Sequence, residues 1–155
     1  MAYVYHADAA AVSDAGLTDY TVQDAAVFSK YFNKTDYVWY LLSFGKCRKV
    51  VVLDKSGRVV HTTRVVGKCF KFPFLSKGEA VIGPCVTAED HRGRGIYPSV
   101  LRHVRQSGGY RAYYMFVNEQ NIPSIKGIEK ADFQRIGTVK KQRGRWQISK
   151  EETAE

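Results

Sequence analysis

The chain has 155 residues, a length typical of one domain, so we expect a single domain spanning residues 1–155. Its 24 Lys and Arg against 15 Asp and Glu give a net charge of +9, which suits nucleic acid, an anionic lipid surface or a phosphorylated small molecule as partner. The three cysteines form no Cys-x-x-Cys pair, which argues against a zinc site. Their odd number, without a secretion signal, predicts a cytoplasmic protein, and no apolar run approaches the ~18 residues of a membrane span.

The first 45 residues are predicted to contain one strand and two helices. Met1–Tyr5 is predicted as a short edge strand. Thr21 is a good N-cap and is followed by apolar residues at helical spacing, which predicts a helix from there into residues 27–32. The apolar residues 36–44 favour a second helix, capped by Asp36 and stopped at Gly45, although a strand also fits.

The spacing of apolar residues then changes to that of strands. Val50–Leu53 and Arg58–Val66 predict a hairpin. Every second residue from 70 to 74 is a phenylalanine: Phe70, Phe72 and Phe74. We expect these rings to pack on a core face, and the alternative is that they line a substrate pocket. Glu79–Thr87 predicts a further strand that bulges or splays at Gly83-Pro84, because proline has no N–H for the ladder.

The second half of the chain alternates helices and strands. Ile96–Gln106 predicts an amphipathic helix, Tyr110–Val117 a strand covered on both faces, and Ile122–Lys130 a short helix. Phe133–Lys141 and Arg145–Lys150 predict a final strand pair. This order of elements predicts an α/β (α+β) fold with a mixed sheet.

A basic glycine turn, Arg92-Gly93-Arg94-Gly95-Ile96, links the Glu79–Thr87 strand to the following helix. Glycines allow backbone N–H groups to approach a ligand closely, and a helix N-terminus favours anions. Arg92 and Arg94 add positive charge. The turn therefore predicts a phosphate or pyrophosphate site.

This turn resembles the acyl-coenzyme-A turn of the GNAT acetyltransferases, in which Arg or Gln is followed by two residues, Gly, one residue, and Gly or Ala. Arg92 and Gly95 fill the first two places, and Tyr97 stands where the family has Gly or Ala. A second stretch, residues 121–133, resembles the later GNAT block. It matches at Asn121, Ser124, Glu129, Lys130 and Phe133, whereas Ile128 replaces a tyrosine proposed as general acid and Asp132 replaces a glycine.

The resemblance implies a mostly antiparallel central sheet flanked by helices and splayed at the cofactor strand, with acetyl-CoA as the cofactor. It assigns the pyrophosphate to the backbone amides of Arg92, Gly93, Arg94, Gly95, Ile96 and Tyr97. It assigns the acetyl and pantetheine portion to the backbone of Cys85, Val86 and Thr87. Asn121 and Ser124 are further cofactor contacts, although Asn121 would also cap the helix that follows it.

The activity implied is direct acetyl transfer to an amine. The stretch from Gly83 to Tyr97 also resembles acetyltransferase-like proteins of surface-polysaccharide biosynthesis, which favours an amino-sugar acceptor over a protein or small amine. Glu79 lies thirteen residues before Arg92, resembling the catalytic glutamate of histone-type members, so it is the candidate proton acceptor. A solvated glutamate is the alternative, and His61 and His91 are further candidates.

Two other functions stay open. Tyr97 and Ile128 depart from the GNAT pattern, which would also fit a protein that binds acyl-CoA without catalysing transfer. The basic segment 140–146 contains one aromatic residue, Trp146, and would suit a nucleic-acid-binding module. No helix-turn-helix or zinc pattern accompanies it, so nucleic acid is disfavoured as the partner.

Overall fold

A computed structural model of the chain describes residues 1–10, 17–107 and 109–150. Within these ranges the strands are β1 (Ala2–Asp8), β2 (Thr21–Ala25), β3 (Cys47–Leu53), β4 (Val59–Gly67), β5 (Glu79–Thr87), β6 (Ala112–Asn118), β7 (Gln134–Gln142) and β8 (Arg145–Lys150). The helices are α1 (Lys34–Leu42), α2 (Ile96–Gln106) and α3 (Ile122–Lys130), with a short 3-10 turn at Glu89–His91.

The strands form one eight-stranded sheet in the order β2-β3-β4-β5-β6-β1-β7-β8. Neighbouring strands are antiparallel except β5 and β6, which are parallel. Helices α2 and α3 pack on one face around Val100, Leu101 and Ile128. On the other face, Trp39 of α1 stacks on Phe72 of the segment between β4 and β5. The predicted fold class, a mixed and mostly antiparallel sheet flanked by helices, is confirmed.

Strands β5 and β6 form a fork. They pair only from Glu79 to Ile82, opposite residues 112–115. Beyond Gly83-Pro84, β5 stays with β4 while β6 continues beside β1. Since Pro84 has no N–H to donate, the pairing ends where the sequence predicts a splay.

The prediction for the N-terminal part is wrong in two places. Strand β1 is not an edge strand, because it is hydrogen-bonded to β6 on one side and β7 on the other. The predicted helix starting at Thr21 is instead β2, which pairs with β3. Phe28, inside the predicted helix, has φ = 70°, a left-handed conformation that no α-helix contains.

Helix α1 confirms the helix predicted for residues 36–44, but its cap differs. Asn33 is the N-cap and accepts from the Asp36 N–H, while the Asp36 side chain accepts from the Asn33 N–H. Asp36 therefore sits at the third helical position of a capping box rather than at the cap itself. After β4, Phe72 is buried, whereas Phe70 remains 55% exposed, so only part of the predicted aromatic face belongs to the core.

A buried ionic cluster anchors α1 to the sheet. The Asp36 carboxylate is fully buried and lies 2.6 Å from Lys49 Nζ and 2.6 Å from Arg64 Nη2. Burial alone would raise the pKa of Asp36, but hydrogen bonds from Lys49, the Asn33 N–H and Arg64 together hold it below its usual value. The carboxylate is therefore charged and fully satisfied at neutral pH.

Both later helices confirm the predicted bounds, Ile96–Gln106 and Ile122–Lys130. All three cysteines are free thiols. In the part of the chain that the structure describes, no helix is long and apolar enough to cross a membrane. The same residues contain no group of three or more His, Cys, Asp or Glu side chains arranged to hold a metal ion.

Candidate functional site

A cavity of about 660 Å³ opens at the fork, between the end of β5, the turn after it, and helices α2 and α3. Ten of the eleven residues predicted to bind the cofactor line it: Cys85, Val86, Thr87, Arg92, Gly93, Gly95, Ile96, Tyr97, Asn121 and Ser124. The eleventh, Arg94, donates instead to the Asp90 carbonyl at 3.1 Å. Two stretches far apart in sequence thus meet around one space.

The N-terminus of α2 faces this cavity. Gly93 and Gly95 have φ of 74° and 75°, which is the left-handed region that favours glycine. No heavy atom lies within 4 Å of a Cβ built at either glycine. The helix has no side-chain cap and no acidic residue in its first turn. Its first N–H groups are therefore suited to an anion.

The charged side chains that line the cavity are cationic: Arg92, Lys126 and Lys130. Arg92 is 64% exposed and its nearest carboxylate, Glu89, is 3.7 Å away. No Asp or Glu is among the residues lining the space. Sequence reasoning did not name Lys126 and named Lys130 only as a match to the later block, not as a site residue, although their spacing of four places them on the same face of α3.

Tyr97 is accommodated by Gly127. A Cβ built on Gly127 would lie 2.5 Å from Cδ1 of the Tyr97 ring, so the ring packs directly on the α3 backbone. Glycine in α3 thus creates the space for a large side chain where the resembled family has Gly or Ala. The neighbouring Ile128 is buried in the core on the helix side of the sheet.

We expect Gly127→Ala to lower the free energy of unfolding by about 1–3 kcal/mol, because the new methyl group forces the Tyr97 ring to move. Chemical unfolding measures the loss. In a Tyr97→Ala background the same substitution should be neutral or stabilising, because alanine favours helix. Equal losses in both backgrounds would contradict the packing.

Asn121 caps α3 and also lines the cavity. Its Oδ1 accepts from the Ser124 N–H at 3.3 Å. The predicted helix cap is confirmed, and the predicted cofactor contact of Asn121 stays a prediction.

Glu79 does not line the cavity, since it lies at the opposite end of β5. Its carboxylate is buried, receives Arg111 Nη2 at 2.5 Å, and accepts from the Ser76 N–H at 2.8 Å. These contacts satisfy both oxygens. The position gives no support to the predicted role as proton acceptor and indicates a structural ion pair.

We expect Glu79→Gln to lower the free energy of unfolding by about 1 kcal/mol, because it removes one charge of a partly buried pair. The affinity for acetyl-CoA, measured by calorimetry, should not change. A large loss of turnover at unchanged stability would instead return Glu79 to the catalytic role.

The two histidine candidates differ in position. His61 is buried beneath the cavity wall, and burial lowers its pKa to about 4, so it is neutral at pH 7. His91 lines the cavity and packs edge-on against Tyr20, with ring centroids 5.9 Å apart.

The pKa of the Cys85 thiol is raised to about 11 by burial, which argues against a thiolate nucleophile at this position.

No protein-family model and no curated protein matches the sequence. Several solved structures match the fold of this chain. A functionally unknown conserved protein from Staphylococcus epidermidis matches with a TM-score of 0.60 at 10% identity, over 86% of this chain and 57% of that one. The GCN5-related N-acetyltransferase from Sphaerobacter thermophilus matches with a TM-score of 0.57 at 16% identity, over 86% and 48%.

AAC(6')-Ib, solved in complex with paromomycin and acetyl-CoA, matches with a TM-score of 0.52 at 14% identity, over 74% of this chain and 71% of that one. The chain spans about half the length of the first two structures, 57% and 48%. At these identities the likeness shows the fold alone, which this chain shares with the GCN5-related N-acetyltransferase and with AAC(6')-Ib.

Proposed function

We propose that the chain is an acetyl-CoA-dependent N-acetyltransferase. The observation that carries the proposal is the meeting of ten predicted cofactor residues around one cavity at the fork. The fold by itself places α2 beside α3, but it does not require the glycine turn, the uncapped α2 N-terminus or the cationic lining of this cavity.

The residues around the cavity fit the cofactor's chemistry. The uncapped N–H groups of the α2 N-terminus and the Arg92 guanidinium would hold the pyrophosphate. Lys126 and Lys130 supply charge for a further phosphate. Beyond Ile82, β5 pairs with β4 but no longer with β6, so the edge of residues 85–87 that faces away from β4 is open to the amides of the pantetheine arm. The Thr87 carbonyl already accepts from Arg92 Nε at 3.4 Å.

Bound there, acetyl-CoA would supply an activated acetyl thioester for transfer to a nucleophile. The chain's own part is to hold the cofactor and to position the attacking amine. Ile128 stands in the place of the tyrosine of the resembled family, and its side chain is apolar and buried in the core, so it supplies no proton. We propose an amine acceptor, and an amino sugar in particular on the basis of the residue 83–97 resemblance.

Calorimetric titration of acetyl-CoA into the purified chain tests the proposal. We expect micromolar binding at one site per chain, and competition by coenzyme A. Absence of binding would overturn the proposal. An RNA hairpin assayed alongside tests the nucleic-acid alternative, which requires RNA binding that coenzyme A does not compete away.

Turnover separates the enzyme from a protein that only binds acyl-CoA. The free thiol released from acetyl-CoA is followed with a panel of amines that begins with glucosamine. Acetylation of an amine supports the transferase. Tight binding with no turnover across amino sugars, small amines and peptides would favour the non-catalytic alternative, which the Tyr97 departure keeps open.

A further inference from the structure

Helix α1 buries one side against the sheet and leaves the other side uncovered. Asp36 marks the sheet side, because it is fully buried. On the outer side, Val38 is 53% exposed and Leu41 is 73% exposed. Lys34 lies on the same outer face, since it precedes these residues by four and seven positions, and it is exposed. The helix therefore presents an apolar stripe with a cation at its N-terminal end.

Two phenylalanines project next to this stripe. Phe28 is 87% exposed, and its ring centroid lies 5.8 Å from that of Tyr37 in α1. Phe44 is 88% exposed and follows the helix, where its N–H donates to the Leu41 carbonyl at 3.1 Å. Both phenylalanines have a left-handed backbone, with φ of 70° and 53°, which glycine or asparagine adopts with less strain. The chain thus holds two large rings in water at strained positions, which points to a function for the rings.

The exposed charges on this part of the chain are all positive. Residues 26–46 contain one carboxylate, Asp36, and that carboxylate is the buried one. The other charged side chains of the segment, Lys30, Lys34 and Lys46, are exposed. The apolar and basic side chains together form what we call the α1 surface: Phe28, Val38, Leu41, Phe44, Lys30, Lys34 and Lys46.

The carboxylates adjacent in sequence are directed to the other face of the sheet. Asp24 is bound to Arg48, which also donates to Ser107 at the end of α2. Asp54 lies 3.9 Å from Nε2 of His91, which lines the cavity. Neither carboxylate therefore neutralises the α1 surface.

We propose that the α1 surface docks the chain onto an anionic lipid membrane. Protruding aromatic and aliphatic side chains enter the interfacial layer of a bilayer, and lysines beside them meet the lipid phosphates. A bilayer accepts protruding rings without a matching shape, whereas a protein partner needs complementary pockets. A second copy of this chain, docked face to face, would bring the lysines of both copies together, and their repulsion opposes that contact.

A chain docked in this way keeps its cavity open to water. Helix α1 packs on one face of the sheet, whereas the cavity opens beside α2 and α3 on the other face. The lipid and coenzyme A would therefore bind independently. We expect the ligand-free chain to bind lipid, whether or not it catalyses acetyl transfer.

The first test is cosedimentation of the full chain with vesicles, either of phosphatidylcholine alone or of phosphatidylcholine mixed equally with phosphatidylglycerol. We expect at least about tenfold tighter binding to the mixed vesicles, because each lysine near an anionic surface strengthens binding roughly fivefold. Saturating coenzyme A should leave this binding unchanged. Absence of binding to the mixed vesicles overturns the proposal. Displacement by coenzyme A also overturns it, because the lipid would then occupy the cavity.

The second test removes both exposed rings in the double variant Phe28→Asn/Phe44→Asn. We expect its binding to the mixed vesicles to fall at least about tenfold. Its free energy of unfolding should be equal or higher, because asparagine adopts the left-handed backbone more readily. Ile122→Asn is the control and should bind as the wild type does, since Ile122 is 51% exposed but begins α3 on the other face. Full binding by the double variant overturns the proposal.

The third test compares two variants that lower the net charge equally, Lys34→Gln/Lys46→Gln and Lys140→Gln/Lys141→Gln. The second pair is exposed on β7, toward the other end of the sheet from β2 and β3. We expect only the first variant to weaken binding to the mixed vesicles, by about tenfold. Equal losses would mean that net charge alone attracts the chain, and they would overturn the assignment to the α1 surface.

Light scattering tests a second copy as the occupant of the α1 surface. We expect the wild-type chain to show no dimer that depends on the two phenylalanines. A dimer that becomes a monomer in Phe28→Asn/Phe44→Asn, without binding to vesicles, would overturn the proposal in favour of self-association. Binding to polyglutamate, again without binding to vesicles, would overturn it in favour of an acidic protein.

Discussion

Gly95→Leu is expected to weaken acetyl-CoA binding at least about 100-fold, which corresponds to roughly 2.7 kcal/mol. Gly95 has φ = 75°, and the space where its Cβ would project is open. Gly95 lines the cavity in front of the α2 N-terminus. A leucine side chain would occupy it and keep an anion away from the N–H groups. Calorimetric titration of acetyl-CoA measures the change.

Gly57→Leu is the matched control for backbone strain. Gly57 has φ = 80° and equally open surroundings, but it lies in the turn between β3 and β4, away from the cavity. A left-handed backbone costs a non-glycine residue roughly 1–2 kcal/mol, so both variants should lose similar stability. Only Gly95→Leu should lose binding. Full affinity in Gly95→Leu would rule out the α2 N-terminus as the phosphate site.

Asp36→Asn is expected to cost about 3–5 kcal/mol of unfolding free energy, because it leaves Lys49 and Arg64 buried without a countercharge. Urea unfolding measures this. Asp24→Asn is the control. The Asp24 side chain is half-exposed in its ion pair with Arg48, so we expect this pair to contribute about 1 kcal/mol or less to the free energy of unfolding. Equal effects of the two substitutions would mean that burial of the cluster does not matter.

The Asp36 cluster also predicts acid sensitivity. The pKa of Asp36 is lower in the folded chain than in the unfolded chain. The unfolded chain therefore binds its proton at higher pH, and the stability that Asp36 contributes is complete above about pH 4 and is lost as the pH falls through the folded pKa. Asp36→Asn should remove this component of the pH dependence, which urea unfolding between pH 2 and 6 would show.

The residues around the fork could be predicted well because their signals are local. Pro84 ends strand pairing, the glycine turn precedes α2, and Asn121 with Pro123 starts α3, each through the conformational limits of one or two residues. That residues 85–87 and 121–124 line one site was expected from their resemblance to the GNAT pattern rather than from these local signals.

The remaining features depend on contacts between distant segments. Thr21–Ala25 has residues that suit a helix, but pairing with β3 decides its conformation. The His61–Cys85 neighbourhood depends on the register of β4 against β5, which includes a shift between Thr63 and Val65. The Glu79–Arg111 pair likewise requires knowledge of which strands are parallel neighbours.

The place of β1 in the sheet bears on the order in which the chain folds. Strands β2 to β5 pair with their neighbours in sequence and can assemble as soon as they are synthesised. Strand β1 must wait for β6 and β7, which follow it by more than a hundred residues. Until then its Val4 and Tyr5 have no buried position, so a nascent chain exposes them for most of its synthesis. The fork, which needs β6 in place, is among the last features to form, and a chain released before β6 would contain half a sheet without a binding cavity.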